Sequence, residues 1–129
     1  MIAVDTNILV RLLTRDDEAQ FQQAYQLFSE HQIFIATTVI LECEWVLRFA
    51  YRMKQPEVVG ALRRLCGLDQ TVLEEPNRVA QALSWHKRGM DFADALHLAA
   101  KPDSAAFSSF DQKLLAVAGR LGLSGVEAP

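Results

Sequence analysis

Short, continuously apolar segments alternate along this chain with longer segments in which apolar residues recur every three or four positions. The apolar segments lie at 2–4, 33–36, 71–73 and 105–109, with a weaker one at 125–127. Runs of this length predict buried strands, and the periodic segments predict helices. Strands that alternate with helices are typical of a parallel sheet covered on both faces, so the sequence predicts an α/β fold.

The helices predicted between these strands have recognisable ends. The first begins at Thr6 or Asn7, and Asp17 opens a second that runs to about residue 29. Thr37 or Thr38 is predicted to cap a long helix over 39–52. The remaining helices are predicted over 56–67, 76–87, 91–101 and 112–121.

Length and composition predict one globular domain spanning 1–129. Half of the 129 residues are apolar and the charges are mixed. No apolar run approaches the ~20 residues that span a bilayer, and the N-terminus lacks the pattern of a signal peptide, so we expect a cytoplasmic protein. The net charge of −3 counts against a simple nucleic-acid-binding module. A negative net charge does not exclude an enzyme that binds phosphate groups through a metal ion.

Several common kinds of site are not indicated by the sequence. Cys43 and Cys66 lie in helical patterns and are predicted to be core residues rather than a disulfide. Histidines and cysteines show no zinc-ligand spacing, and there is no glycine-rich phosphate loop. Trp45 and Trp85 are predicted to be partly buried core residues, although either side chain could stack on a base.

Two aspartates directly follow predicted strands. Asp5 comes after the first strand and Asp111 after the fourth. Ligands of open parallel sheets bind at the carboxyl ends of the strands, so both acids are candidates for a functional site. Helix capping is the alternative interpretation, because aspartate between a strand and a helix is a good N-cap.

A third and a fourth acid lie inside predicted helices. Asp94 follows Asp91 in a helix of small apolar residues, where an acid requires a partner. A salt bridge with His97 or Lys101 is the structural alternative. Glu42 has apolar neighbours one helical turn away, whereas Glu44 can pair with Arg48 on a solvated face. We therefore predict Glu42, and not Glu44, as the functional acid.

Convergence of Asp5, Glu42, Asp94 and Asp111 would create strong repulsion. Two carboxylates about 5 Å apart repel by roughly 3 kcal/mol at an effective dielectric constant near 20. A domain with ~5–15 kcal/mol of stability could not hold four of them ionised without compensation. A hard divalent cation would supply the compensating positive charge, since Mg²⁺ and Mn²⁺ prefer oxygen ligands. Such a site can activate a water molecule and stabilise the charge on a phosphate during hydrolysis.

Four segments carry a family resemblance, in the family's order. They are VDTNILVRLL at 4–13, TTVILECEWVLR at 37–48, DFADALHLAA at 91–100 and SSFDQKL at 108–114. With them the sequence resembles the PIN-domain ribonucleases, and specifically the VapC-type toxins of bacterial toxin–antitoxin pairs. The similarity extends over essentially the whole chain.

The resemblance implies a three-layer α/β/α sandwich and an endoribonuclease that depends on Mg²⁺ or Mn²⁺. It also implies an antitoxin partner and a homodimer. Asp5, Asp94 and Asp111 would be the principal metal ligands. Glu42 would bind the metal through a water molecule or help to deprotonate the attacking water. The supporting residues implied by the resemblance are Asn7, Asp91 and Ser109, which stands where threonine is more usual.

Three other functions remain open at this point. A phosphoacceptor receiver domain has a similar length and a carboxylate site for Mg²⁺, but it needs adjacent acids after the first strand, where VDTN supplies one. A catalytically idle PIN-like module would keep the fold without the chemistry. Cleavage of DNA would need extra elements for which a short chain leaves little room.

Overall fold

A computed structural model describes residues 1–129, which form seven helices and five strands. The chain divides into two compact units, residues 1–76 and residues 77–129. Every strand pairing is parallel, so the predicted α/β class is confirmed. The single domain predicted from length stays a prediction. None of the helices has both the length and the apolar character needed to cross a membrane.

The first unit contains a three-stranded parallel sheet with the order β1-β2-β3. Its strands are β1 (Ile2–Ala3), β2 (Ile33–Ile35) and β3 (Thr71–Leu73), and β2 aligns Ile33 with Ile2 on one side and Thr71 on the other. Its helices are α1 (Thr6–Thr14), α2 (Glu18–Glu30), α3 (Thr37–Phe49) and α4 (Gln55–Cys66).

Packing within this unit follows from the apolar stripe of each helix. Helix α1 packs against α2 and α3, and α3 packs against α4. Leu9, Ile33, Ile35 and Leu62 are fully buried in this core. The core fixes α1 and α3, and these helices carry the two candidate acids of the unit.

The second unit contains a two-stranded parallel sheet and the last three helices. Strand β4 (Phe107–Ser108) pairs with β5 (Val126–Glu127). The helices are α5 (Pro76–Lys87), which begins at the boundary of the units, α6 (Phe92–Ala100) and α7 (Gln112–Arg120). Gly89 follows α5 with a φ of 113°, a left-handed conformation that favours glycine.

Three predicted boundaries differ from those of the structure by two or three residues: the start and the end of α3 and the start of the fourth strand. Helix α3 begins at Thr37, so neither Thr37 nor Thr38 is its cap; that position belongs to Ala36, which makes no side-chain capping bond. The same helix ends at Phe49, three residues before the predicted end. The fourth strand covers only Phe107–Ser108 of the predicted 105–109, because it pairs with just two residues of β5.

The predicted solvated face of α3 was also wrong. Glu44 is only 1% exposed, and both of its carboxylate oxygens accept hydrogen bonds from the Arg48 guanidinium, at 2.8 and 3.1 Å. The predicted pairing of Glu44 with Arg48 is therefore confirmed, but it is a buried pair. Ile40, Cys43, Glu44 and Leu47 together form the buried face of α3.

Candidate active site

Asp5 lies at the N-terminus of α1 in the first unit, directly after the first strand. Its backbone is extended, and its Oδ1 accepts a hydrogen bond from the Ile8 backbone N–H at 3.4 Å. Asp5 is therefore the cap of α1, and the rest of its exposed carboxylate faces solvent. Asn7 lies in the first turn, beside Asp5 on the wall of the same surface cavity.

Glu42 is connected to the start of α1 by a threonine. The Thr6 hydroxyl donates a short hydrogen bond to Glu42 Oε1. Thr6 is buried, whereas Glu42 is exposed, so a fixed donor holds one end of a solvent-facing carboxylate. Because Thr6 follows Asp5 directly, this bond ties Glu42 to the segment that carries Asp5.

Sequence reasoning missed Thr6. A threonine in the first turn of a helix was given no role, although its position beside Asp5 in VDTN was a usable signal. The apolar surroundings predicted for Glu42 were also wrong, because this glutamate lies on the exposed side of α3.

Two aspartates of the second unit cap helices in the same way as Asp5. Asp91 Oδ2 accepts a hydrogen bond from the Asp94 N–H at 3.2 Å. Asp111 Oδ1 accepts from the N–H groups of Lys113 and Leu114 at 3.0 and 3.1 Å. Each capping bond uses a single carboxylate oxygen, so capping a helix leaves the other oxygen available to a ligand.

Ser109 supports Asp111 through the backbone. Its hydroxyl oxygen accepts a hydrogen bond from the Asp111 N–H at 3.0 Å. This contact fixes the turn between β4 and α7, which sets the position of the Asp111 carboxylate. The role implied for Ser109 at this position stays a prediction.

Asp94 differs from the two capping aspartates because its carboxylate accepts no hydrogen bond and forms no ion pair. The salt-bridge alternative with His97 or Lys101 is therefore absent. Desolvation by burial, and then repulsion from Asp91 and Asp111, raises the pKa of Asp94 above its usual value, although the nearby His97 opposes the shift. An acid with a raised pKa and no partner inside a cavity indicates a functional group.

Asp91, Asp94 and Asp111 line one cavity of about 360 Å³ in the second unit. Lys113, Leu114 and Val117 form other parts of its wall. The cavity therefore joins carboxylate oxygens with a lysine at its edge. That combination suits a ligand in which a cation and an anion are bound together, such as a metal with a phosphate.

The donor chemistry of this cavity fits a hard divalent cation. All three acidic side chains offer oxygen, the ligand atom that Mg²⁺ and Mn²⁺ prefer. A cation would also relieve the repulsion that raises the pKa of Asp94. The structure contains no group of three or more histidine, cysteine, aspartate or glutamate side chains placed closely enough to hold a metal ion directly. The convergence of four carboxylates stays a prediction.

Neither cysteine is suited to act as a nucleophile at neutral pH. Both thiols are free, and Cys43 is buried. Burial raises the pKa of Cys43 to about 12 and that of Cys66 to about 11. Both cysteines therefore remain protonated, because the thiolate is the reactive form.

Comparison with protein families gave one match. The family model described as the PIN domain matches residues 2–120. The matched range contains all seven site residues predicted from the sequence, and also Thr6. No curated protein and no solved structure matches the chain.

Proposed function

Because the chain belongs to the PIN domain family, whose members are generally nucleases, we propose that it is a metal-dependent endoribonuclease. Its parallel strands and seven helices are consistent with the three-layer α/β/α fold of that family. The observation that carries the proposal is the unpartnered Asp94 carboxylate in a cavity with Asp91 and Asp111. The family match argues against the receiver-domain alternative, and the unpartnered acid argues against an idle binding module.

In this proposal Asp5, Asp94 and Asp111 are the principal ligands of Mg²⁺ or Mn²⁺, and PIN domains typically use divalent metals. The bound cation would stabilise charge that develops on a phosphodiester and lower the pKa of an attacking water. Asp94 supplies a carboxylate whose pKa is raised by desolvation and by its acidic neighbours, and a positive charge beside it would favour the ionised form. Asp5 and Asp111 each supply a carboxylate oriented by a helix N-terminus.

Glu42 would act on the water, either by binding the metal through it or by taking its proton. Its hydrogen bond with Thr6 fixes the direction of the carboxylate. Lys113, at the wall of the cavity, offers a positive charge to an RNA phosphate. Asn7, Asp91 and Ser109 would support the principal acids, with Ser109 acting through the Asp111 backbone.

We also propose that the chain is the toxin of a VapC-type toxin–antitoxin pair. An apolar surface groove of about 430 Å³ in the first unit supports the presence of a protein partner. Tyr25 is 57% exposed and Leu68 is 38% exposed on this groove. Apolar side chains of an antitoxin would bury both of them.

Cleavage of RNA with and without metal tests the proposed function. Labelled single-stranded and structured RNAs are incubated with the purified chain in Mn²⁺, Mg²⁺ or a chelator. We expect cleavage in at least one metal and at least 100-fold slower cleavage in chelator. Equal cleavage in chelator would contradict the proposal, as would a folded chain that neither cleaves RNA nor binds Mn²⁺ by calorimetry.

Removing the Thr6 hydroxyl should slow cleavage with little effect on folding. Thr6→Val keeps the shape of the side chain but releases Glu42, so we expect a decrease in rate of about tenfold. Thr6→Ser keeps a hydroxyl and should retain most of the rate. The matched control is Thr14→Val, at the other end of α1, where the lost hydroxyl bonds Val10 and Asp16. Equal rates for Thr6→Val and wild type would remove Thr6 from the site.

A further inference from the structure

Two large aromatic side chains are exposed side by side on α3. Trp45 is 54% exposed and Phe49 is 56% exposed. Their ring centroids are 5.0 Å apart, with an angle of 40° between the ring planes. We call Trp45 and Phe49 the aromatic platform. The prediction that Trp45 is part of the core was therefore wrong, and the core provides no explanation for this pair.

The aromatic platform lies on the same side of α3 as Glu42. The spacing of Glu42, Trp45 and Phe49 is i, i+3 and i+7, which places the three residues along one face of a helix. All three are exposed, whereas Cys43 and Leu47 lie on the buried face. At a rise of about 1.5 Å per residue, Phe49 lies about 10 Å along the helix axis from Glu42.

Unpaired cations outnumber acids around the aromatic platform, where Glu42 is the one exposed acid of α3. Residues 45–56 contain no acid and three cations, of which Arg48 is paired with Glu44 and Arg52 and Lys54 are not. The Arg48 guanidinium lies 4.4 Å from the centroid of the Phe49 ring. Arg52 and Lys54 are exposed and form no ion pair, so both can contact a negatively charged ligand. Exposed aromatic rings beside free cations are the combination that binds unpaired nucleotides.

We propose that the aromatic platform stacks unpaired bases of single-stranded RNA, while Arg52 and Lys54 contact the phosphates. This inference rests on the proposed function and specifies its substrate: the RNA is unpaired beside the cleaved bond. A base in a duplex is stacked between its neighbours, so only an unpaired base can offer its face to Trp45 or Phe49.

Charge favours RNA over a second copy of the chain as the occupant. In a twofold-symmetric dimer the same patch meets itself, so Arg52 and Lys54 of both copies would lie in one interface. Glu42 is the one exposed acid of α3 on that face, so these cations would outnumber the acids beside them. RNA phosphates are instead attracted to both side chains.

Binding of RNA without cleavage tests this inference directly. The probe is a single-stranded RNA that carries 2-aminopurine, kept intact by chelator, and its hairpin counterpart serves as the paired control. Stacking contributes enough per base that Trp45→Ala should weaken single-strand binding about tenfold and reduce the quenching of 2-aminopurine. Trp45→Phe keeps a ring and should retain most of the affinity. His31→Ala removes an exposed ring from the C-terminal end of α2, a residue with no proposed role, and should bind as wild type does.

Two results would overturn the inference. In one, the wild-type chain shows no preference for the single strand over the hairpin, or binds neither. In the other, Trp45→Ala retains full affinity, and a shift from dimer to monomer in light scattering would then identify the platform as a contact between copies. Binding that depends on Trp45 in a chain that never cleaves RNA would support the platform and contradict only the proposed function. If Trp45→Ala cleaves RNA normally and binds it with unchanged affinity, the proposed function would be supported and the aromatic platform contradicted.

Discussion

Asp94→Asn is expected to abolish metal-dependent cleavage of RNA while making the metal-free chain slightly more stable. The amide keeps the size of the side chain but removes the negative charge that a cation requires. We expect the rate to fall at least 100-fold, since the other acids lose a ligand with which they act together. Rates are measured on one RNA in Mn²⁺, and melting temperatures are measured in chelator.

The expected gain in stability follows from the direction of the pKa shift. The pKa of Asp94 is raised by desolvation and then by Asp91 and Asp111, so folding favours the protonated form. The stability that this group contributes is fully present below the pKa of the unfolded chain and is lost as the pH rises through the higher folded pKa. At neutral pH the ionised carboxylate therefore opposes folding. Solvent screens a partly exposed group, so the melting temperature should rise by no more than about 3 °C.

A matched variant shows whether the changes in rate and melting temperature are specific to Asp94 or follow from removing any aspartate. Asp103→Asn removes an exposed aspartate from the segment between α6 and β4. It should change neither the rate nor the melting temperature. If Asp94→Asn cleaves RNA as fast as Asp103→Asn, then Asp94 is not a catalytic residue.

Arg48→Ala is expected to destabilise the fold by about 3 kcal/mol, because it leaves the carboxylate of a buried glutamate without its guanidinium partner. Glu44 is 1% exposed and accepts two hydrogen bonds from Arg48. A loss of this size is a large part of the ~5–15 kcal/mol that stabilises a typical domain. Unfolding in urea, followed by circular dichroism, measures the change in free energy.

An exposed ion pair provides the comparison for Arg48→Ala. Arg15 and Glu18 are 2.8 Å apart, and both side chains are more than half exposed. Glu18→Gln should leave the urea midpoint close to that of the wild type, since water replaces the lost partner. Similar midpoints for Arg48→Ala and Glu18→Gln would mean that Glu44 finds enough stabilisation elsewhere.

The elements that sequence predicted best have their determinants nearby in the chain. Asp5 and Asp111 were recognised as capping candidates because the aspartate and the N–H groups it bonds are at most three residues apart. The same analysis recognised the unusual position of Asp94, since an acid among small apolar residues is visible without a structure. Capping uses one oxygen of each capping aspartate, so the functional interpretation of these residues stays a prediction beside the observed caps.

The orientation of α3 was predicted incorrectly because its apolar residues were assigned to the core and its ion pair to the surface. Trp45 was counted among the apolar neighbours of Glu42, and Glu44 was placed in solvent because it can pair with Arg48. The structure reverses these positions: Trp45 is 54% exposed and Glu44 is buried against Arg48. An exposed aromatic residue and a buried acid each break the amphipathic pattern. The bond between Thr6 and Glu42 joins residues 36 positions apart, so no local pattern could indicate it.

The three capping aspartates have a consequence for the entropy of ligand binding. A free aspartate side chain must give up rotational freedom when it binds a cation, and that loss weakens the complex. Asp5, Asp91 and Asp111 give up most of this freedom when the chain folds, because backbone N–H groups already hold one oxygen of each. The helix N-termini therefore restrict the rotamers of these carboxylates in the free chain, so less side-chain entropy is lost when a ligand binds.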